Sequence, residues 1–268
     1  KARLRMRGKI CLTKMVAILP QDMKTTIVAM MTALVLSVSS CRVSLGNGFS
    51  ERIEPSENIV KAKYPQEAFD KIDNHVVGKI QVVQSKDNKS RVTLSAPDNY
   101  IELFEFKNKD GELDIKFADR NVNIDADNVT IIIYTPNLRE IENSGAADIC
   151  MDELTTDELE IKNSGVGAFK MAKVTARKLD VSCSGVGSIT IEGKTDEAEY
   201  SCTGVGNIDA KDMKAREVKA HISGVGGIEC FASEYINGSV SGVGGLKYGG
   251  NPSKKDLHSG MTGGISEL

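Results

Sequence analysis

The sequence predicts an all-β protein: a right-handed parallel β-helix, or solenoid, of coils about 20 residues long, preceded by a strand-rich N-terminal cap. A Ser-Gly or Thr-Gly pair returns seven times at intervals of 18 to 20 residues. Of the 25 glycines, 20 lie between Gly145 and Gly264. Between the Ser-Gly or Thr-Gly pairs, hydrophobic and polar residues alternate. A short period with a glycine at a fixed position is typical of stacked coils, and alternation is typical of strands with one buried face.

The first 65 residues are interpreted as targeting and tether segments. Residues 23–40 combine a basic start, a short apolar run and small residues, as a secretory signal peptide does. Val-Ser-Ser-Cys at its end resembles the bacterial lipobox, so we expect Cys41 to be lipidated; a plain signal peptide or a short anchor is the alternative. Residues 1–22 are interpreted as sequence upstream of the true start, and the polar residues 41–65 as a tether.

Residues 66–137 carry strand signals without the 20-residue period. Two predicted strands flank Asp110-Gly111, a dipeptide typical of a two-residue hairpin turn. A β-branched strand covers residues 129–134, and Pro136 ends it. We expect a mostly antiparallel cap over the first coil, because an open stack exposes unpaired backbone groups.

The repeats occupy residues 138–268. Aligned on the Ser or Thr, inward-facing columns are expected one, three and five positions before it and two, five and seven positions after it. The column two positions after it contains Ala146, Val166, Val186, Val205, Val225, Val243 and Met261. Glycine at each corner allows positive φ or close approach of coils. The expected structural corners are Gly145, Gly165, Gly185, Gly204, Gly224, Gly242 and Gly260.

The SGVG coils, the Thr-Pro-Asn-Leu link at residues 135–138, the strand-rich cap and the lipobox together resemble the bacterial head GIN domain family, described as heads of auto-transporter adhesins. Such domains are common in lipoproteins of the Bacteroidetes. The resemblance covers about residues 68–266 and implies a β-helix-like fold with a surface or adhesive role. It implies no catalytic residue and no cofactor. We expect a lipid-anchored outer-membrane protein on the periplasmic or the cell-surface face.

One inward column contains polar side chains. Asn143 and Asn163 are expected to form a structural asparagine ladder whose amides bond from coil to coil. Cys183 and Cys202 continue the same column. Buried free thiols are the favoured state for this pair, and a disulfide is the alternative.

An outward column is acidic: Glu140, Glu160, Asp180 and Glu199 lie four positions before the Ser or Thr. Stacked like charges destabilise a sheet, so a cation or a basic partner is one interpretation, and a solvated face neutralised by nearby Lys and Arg is the favoured one. We therefore expect Ca²⁺ to leave the melting temperature unchanged.

Other chemistry has little support in the sequence. The third glycine of a dinucleotide loop and a CxxC zinc motif are both missing, and His75, His221 and His258 lie far apart without a Ser or Cys motif. A net charge of −3 and 5% aromatic residues do not favour nucleic acid. We expect a non-catalytic binding or adhesion module for an unidentified protein or glycan. The alternatives are a self-assembling envelope scaffold and, less favoured, a β-helix carbohydrate-active enzyme.

Overall fold

The structure is a computed structural model that describes residues 52–119 and 121–268. The predicted signal peptide, Cys41 and the first part of the tether lie outside the described residues. No helix in the described ranges is long and apolar enough to cross a membrane. The described strands are β1 (Ile59–Gln66), β2 (Lys71–Asn74), β3 (Val77–Gln84), β4 (Ser90–Pro97), β5 (Phe104–Lys109), β6 (Glu112–Phe117), β7 (Thr130–Thr135), β8 (Glu140–Asn143), β9 (Ala146–Met151), β10 (Leu154–Thr155), β11 (Glu158–Asn163), β12 (Val166–Cys183), β13 (Val186–Cys202), β14 (Val205–Ile222), β15 (Val225–Val240), β16 (Val243–Gly249), β17 (Lys254–Ser259) and β18 (Gly263–Glu267), with a 3₁₀ helix at Asp98–Leu103.

The protein is a β-solenoid of about six stacked parallel turns, as the 20-residue period predicts. Strands β12, β13, β14 and β15 each run through most of one coil and pair in parallel with the next. Equivalent repeat residues face each other: Val166 pairs with Val186, and Val186 with Val205. We call the strand segments that lead into each Ser-Gly corner the first wall, and those that follow it the second wall.

The N-terminal cap is mixed rather than mostly antiparallel. The pairs β1–β4, β4–β7 and β5–β6 are antiparallel, and Asp110 and Gly111 form the hairpin turn with φ of 53° and 82°. However, β2 pairs in parallel with β8, and β3 with β9. The coil ladder therefore already includes Lys71–Gln84. On the opposite side of this coil, β6 pairs in parallel with β2, and β7 with β3, so β4 to β7 are inserted in the sequence between two coils that are adjacent in space.

The expectation that the column two positions after the Ser or Thr faces inward is wrong for the valines of SGVG. Val166, Val186, Val205, Val225 and Val243 are 51–57% exposed, whereas the column three positions later is buried. Positions two and five after the Ser differ by an odd number, so on a strand of period two their side chains must point to opposite faces. The columns before the Ser and those five and seven positions after it do form the core.

Steric contact with the preceding coil explains why the corner residues are glycine. A Cβ built on Gly185 would lie 2.0 Å from the carbonyl oxygen of Gly165 on the preceding coil, which no real Cβ contact permits. The second glycine of the motif adds a conformational reason, since Gly187 has φ of +154°. Contact with the backbone of the preceding coil therefore excludes side chains at both positions of this coil.

The last predicted corner, Ser259-Gly260, does not continue the column. Ser259 pairs with Val240, and His258 with Ser239, so the sequence slips by one residue relative to the preceding coils. A Cβ on Gly260 would lie 3.4 Å from the nearest atom, an ordinary contact, and Met261 is fully exposed. The final pair is thus one residue out of register with the other corners.

Candidate functional site

The inner column is a hydrogen-bonded asparagine ladder that is one residue longer than the repeat shows. Asn74 Nδ2 donates to Asn143 Oδ1 at 2.8 Å, and Asn143 Nδ2 donates to Asn163 Oδ1 at 3.0 Å. All three side chains are buried. Asn163 Nδ2 donates to the carbonyl oxygen of Gly167 at 3.4 Å within its own coil, so every amide nitrogen has a partner and the ladder's role is structural. The recurring Ile-x-Asn at 72–74, 141–143 and 161–163 is the sequence signal for Asn74.

Cys183 and Cys202 continue the ladder on the next two coils as free, buried thiols. A hydrogen bond to Cys202 and burial together raise the pKa of the Cys183 thiol. The Sγ of Cys202 also donates to the carbonyl oxygen of Gly206 at 3.3 Å. Cys230 is buried elsewhere in the core, which raises its pKa to about 12, while Cys150 is exposed.

The outer face of the first wall is a mixed-charge groove along the stack. It consists of a hollow of about 390 Å³ beside Glu158, Glu160 and Asp180, and a second of about 210 Å³ beside Glu197, Glu199 and Tyr235; the two meet at Lys178. We call this surface the charged groove. The four predicted acidic residues are in register across it, because Glu140 pairs with Glu160, Glu160 with Asp180, and Asp180 with Glu199.

Two carboxylates of the acidic column, Glu140 and Asp180, are electrostatically different. Glu140 accepts from Lys162 at 2.7 Å and lies 2.7 Å from Lys71 Nζ, and these bonds lower the pKa of its carboxyl group. Asp180 is half-buried, and burial followed by the charges of Glu199 and Glu160 raises its pKa. Within the described residues, no group of three or more His, Cys, Asp or Glu side chains has the geometry to hold a metal ion.

His75 makes side-chain contacts that its position in the sequence does not indicate. His75 Nδ1 lies 2.5 Å from Ser144 Oγ, and His75 Nε2 lies 2.9 Å from a carboxylate oxygen of Asp73. The expectation that no histidine has a serine partner is therefore wrong: the fold joins residues 69 apart, because His75 occupies the corner position of the coil before Ser144. His221 likewise lies 2.8 Å from Ser239 Oγ.

The contacts that join Ser144, His75 and Asp73, which we call the Ser-His-Asp line, are not accompanied by free backbone donors for an oxyanion. The backbone N–H groups of Ser144, Gly145 and Ala146 all donate to the carbonyls of Asn74 and Val76 on the neighbouring coil. None of these three donors is free to stabilise an oxyanion. Ser144 Oγ also lies 3.2 Å from the carbonyl oxygen of Asn74, so the contacts join one coil to the next.

Known proteins resemble this chain over the solenoid and its cap. A protein from Bacteroides fragilis described as a "putative adhesin" has a solved structure with a TM-score of 0.79 and 36% identity; the match covers 81% of this chain and all of that one. Two proteins from Parabacteroides distasonis, described as a "putative adhesin" and a "putative lipid binding protein", match with a TM-score of 0.64 at 20% and 22% identity, over 81% of this chain and all of theirs. These last two share the fold alone. No curated protein matches.

The described residues lie in one compact unit, and the B. fragilis protein folds as a chain that this match covers in full. We therefore expect residues 52–268 to fold as an independent fragment. The family model described as "Putative auto-transporter adhesin, head GIN domain" matches residues 68–252. This chain belongs to that head GIN domain family.

Proposed function

We propose that the protein is a non-catalytic binding or adhesion module of the cell envelope, attached to the outer membrane by a lipid at Cys41. The observation that carries the binding role is the charged groove, because it runs over successive coils and presents unpaired charge. Asp180 and Lys178 form no ion pair within 4 Å among the described residues, so both are free to contact a ligand. Repeat surfaces of this kind suit extended protein or glycan chains.

The same surface argues for binding rather than turnover. Its acidic residues are repeated in register from coil to coil, as a surface for an extended ligand requires. The Ser-His-Asp line at His75 lies outside the charged groove and is used in coil-to-coil contacts. Membership of a family described as adhesin heads also favours a binding role.

The binding role is tested with the immobilised 52–268 fragment against a glycan array and in pull-downs from envelope extracts. A charge-swapped variant, Lys178→Glu with Asp180→Lys, should lose the ligands that the unmodified fragment retains. The matched control swaps the surface ion pair Lys211–Asp209, outside the charged groove, and should keep them. Blank results in both assays, or equal loss in the control, would refute the proposal.

The anchor and its location need separate tests on the full chain. Metabolic labelling with an alkynyl fatty acid should mark the unmodified protein, and Cys41→Ser should abolish the label. Protease treatment of intact cells then distinguishes the cell-surface face from the periplasmic face. Equal labelling of Cys41→Ser would contradict lipidation at this residue.

A further inference from the structure

The cap sheet carries a basic surface that neither coil stacking nor the charged groove uses. Its strands β1, β4, β7 and β3 lie side by side in that order. These four strands contain four basic residues, Lys61, Lys63, Lys79 and Arg91, and no Asp or Glu. In the whole chain 37 of 268 residues are acidic, so four adjacent strands without a carboxylate are a local feature. We call the outward side of these four strands the basic face.

The register places the four cations on one side of the sheet. Lys61 and Lys79 lie in the same row, joined through the paired residues of β4 and β7, and Lys63 lies in the next row. Arg91 lies one row further, where it pairs with Tyr134. The residues on either side of Lys79 and of Arg91 are buried, so these two side chains point away from the core, as exposed Lys61 and Lys63 do.

The lysines of the basic face are available to an external partner. Lys61, Lys63 and Lys79 are exposed, and no carboxylate of the described residues lies within 4 Å of their ammonium groups. Arg91 differs, because it binds Asp87 at 3.0 Å and its guanidinium lies 4.0 Å from the centre of the Tyr134 ring. Unpaired lysines beside a half-buried tyrosine are typical of surfaces that contact lipid head groups.

The chain enters this sheet from the side of the proposed lipid anchor. The Ile53 N–H donates to the carbonyl oxygen of Asn123 at 2.9 Å, so the cap holds the chain just before β1 begins. Arg52 is the eleventh residue after Cys41, and eleven residues span at most roughly 40 Å in any conformation. A lipid at Cys41 therefore keeps the cap within roughly that distance of the head groups.

We propose that the basic face binds the anionic head groups of the membrane that anchors Cys41, so that the cap lies against the bilayer. This inference rests on the proposed lipid anchor and adds a second contact to it, and an acyl chain with a basic patch holds a protein more firmly than either alone. Each lysine beside an anionic bilayer strengthens adsorption roughly five-fold, so Lys61, Lys63 and Lys79 together give roughly 100-fold. The charged groove stays accessible, because it lies on the first wall whereas β3 pairs with β9 of the second wall.

The first test uses the 52–268 fragment, which lacks Cys41, and vesicles of phosphatidylcholine alone or with added phosphatidylglycerol. In co-sedimentation, the fragment should bind the anionic vesicles roughly 100-fold more tightly than the neutral ones, and added salt should weaken that binding. The triple variant Lys61→Gln, Lys63→Gln, Lys79→Gln should lose the preference for anionic vesicles.

The matched control removes the same charge from three exposed lysines outside the basic face, Lys109→Gln, Lys173→Gln and Lys194→Gln, and should keep the preference. Equal binding to neutral and anionic vesicles, or an equal loss in both triple variants, overturns the proposal. Dissolved dextran sulfate that binds the fragment as tightly per charge as the vesicles do would replace the bilayer by an acidic glycan, and would overturn it as well.

A polarity-sensitive dye tests which side meets the bilayer, in a Cys150→Ser background that removes the exposed cysteine of the fragment. Attached at Thr93→Cys, beside Lys63, the dye should shift to shorter wavelength on anionic vesicles. Attached at Thr175→Cys, a half-buried position in a different part of the coil, it should not. A shift at Thr175→Cys alone, or an equal shift at both positions, contradicts the proposed side.

The anchor and the basic face fail in different ways. Vesicle binding by the fragment without fatty-acid labelling at Cys41 refutes the anchor, and with it the placement of the cap on the membrane that the lipid selects. Labelling at Cys41 without a preference of the fragment for anionic vesicles refutes the basic face alone.

Discussion

Stacking at strand spacing makes one strong prediction: Gly185→Ala should be far more destabilising than a glycine-to-alanine change in a strand usually is. The new Cβ would lie 2.0 Å from the carbonyl oxygen of Gly165 and 2.6 Å from the carbonyl carbon of Ser164. These are backbone atoms of the adjacent coil, so relief requires the coils to separate locally. Gly185 N–H donates to Asn163 at 2.9 Å and Val186 N–H donates to Gly165 at 2.9 Å, and both bonds lengthen if the coils move.

The expected magnitude combines two effects. Overpacking costs about 1–3 kcal/mol, and weakening two buried backbone hydrogen bonds adds about 1 kcal/mol each. The loss of about 4 kcal/mol in the free energy of unfolding corresponds to a shift of the urea midpoint by about 2 M at a slope of roughly 2 kcal/mol/M. Urea unfolding of the 52–268 fragment, followed by circular dichroism, measures it.

Gly245→Ala is the matched control, because Gly245 lies on the second wall but a Cβ there would lie 3.4 Å from the carbonyl oxygen of Gly264, an ordinary contact. Its unfolding free energy should stay within about 1 kcal/mol of the unmodified fragment. If Gly185→Ala is no more costly than Gly245→Ala, the coils do not stack with their corner backbones in contact, and the account of the corners fails.

Four further predictions concern the ladder, the acidic column and the thiols. Asn143→Ala should destabilise the fragment by about 3 kcal/mol in urea unfolding, because it removes the buried partner of Asn74 Nδ2 on one side and of Asn163 Oδ1 on the other. Glu140→Gln should lower the melting temperature at pH 7 and have little effect at pH 3, because a carboxyl with a lowered pKa stabilises the fold above its unfolded pKa and loses that contribution as the pH falls. Asp180→Asn should raise the melting temperature at pH 7, with a gain in unfolding free energy of less than about 1 kcal/mol, because a raised pKa means that the charged carboxylate opposes folding. If the two substitutions shift the melting temperature in the same direction, this assignment is wrong. A thiol reagent should modify Cys150 alone in the native 52–268 fragment and all four of its cysteines after unfolding. Modification of two or more cysteines in the native fragment would contradict the burial of the thiols.

The solenoid could be predicted from the sequence because its signal is local and repeated. Each SGVG coil repeats the same alternation and the same steric need for glycine, so period and register follow directly from residues 144–249. The coil at Lys71–Gln84 keeps the alternation, and Val77-Gly78 stands where other coils have the Val-Gly of SGVG, but His75-Val76 replaces the Ser-Gly pair. In the sequence, β4 to β7 then stand between this coil and its neighbour, so no fixed interval marks the pairing.

The site is less predictable because it depends on pairs that are distant in the chain. The acidic column follows from the period, but its division into a paired Glu140 and an unpaired Asp180 depends on Lys71 and Lys162. Lys71 belongs to the coil that the period does not reveal. The orientation of the valines was predictable in principle, since counting positions along one strand places Val166 and Phe169 on opposite faces.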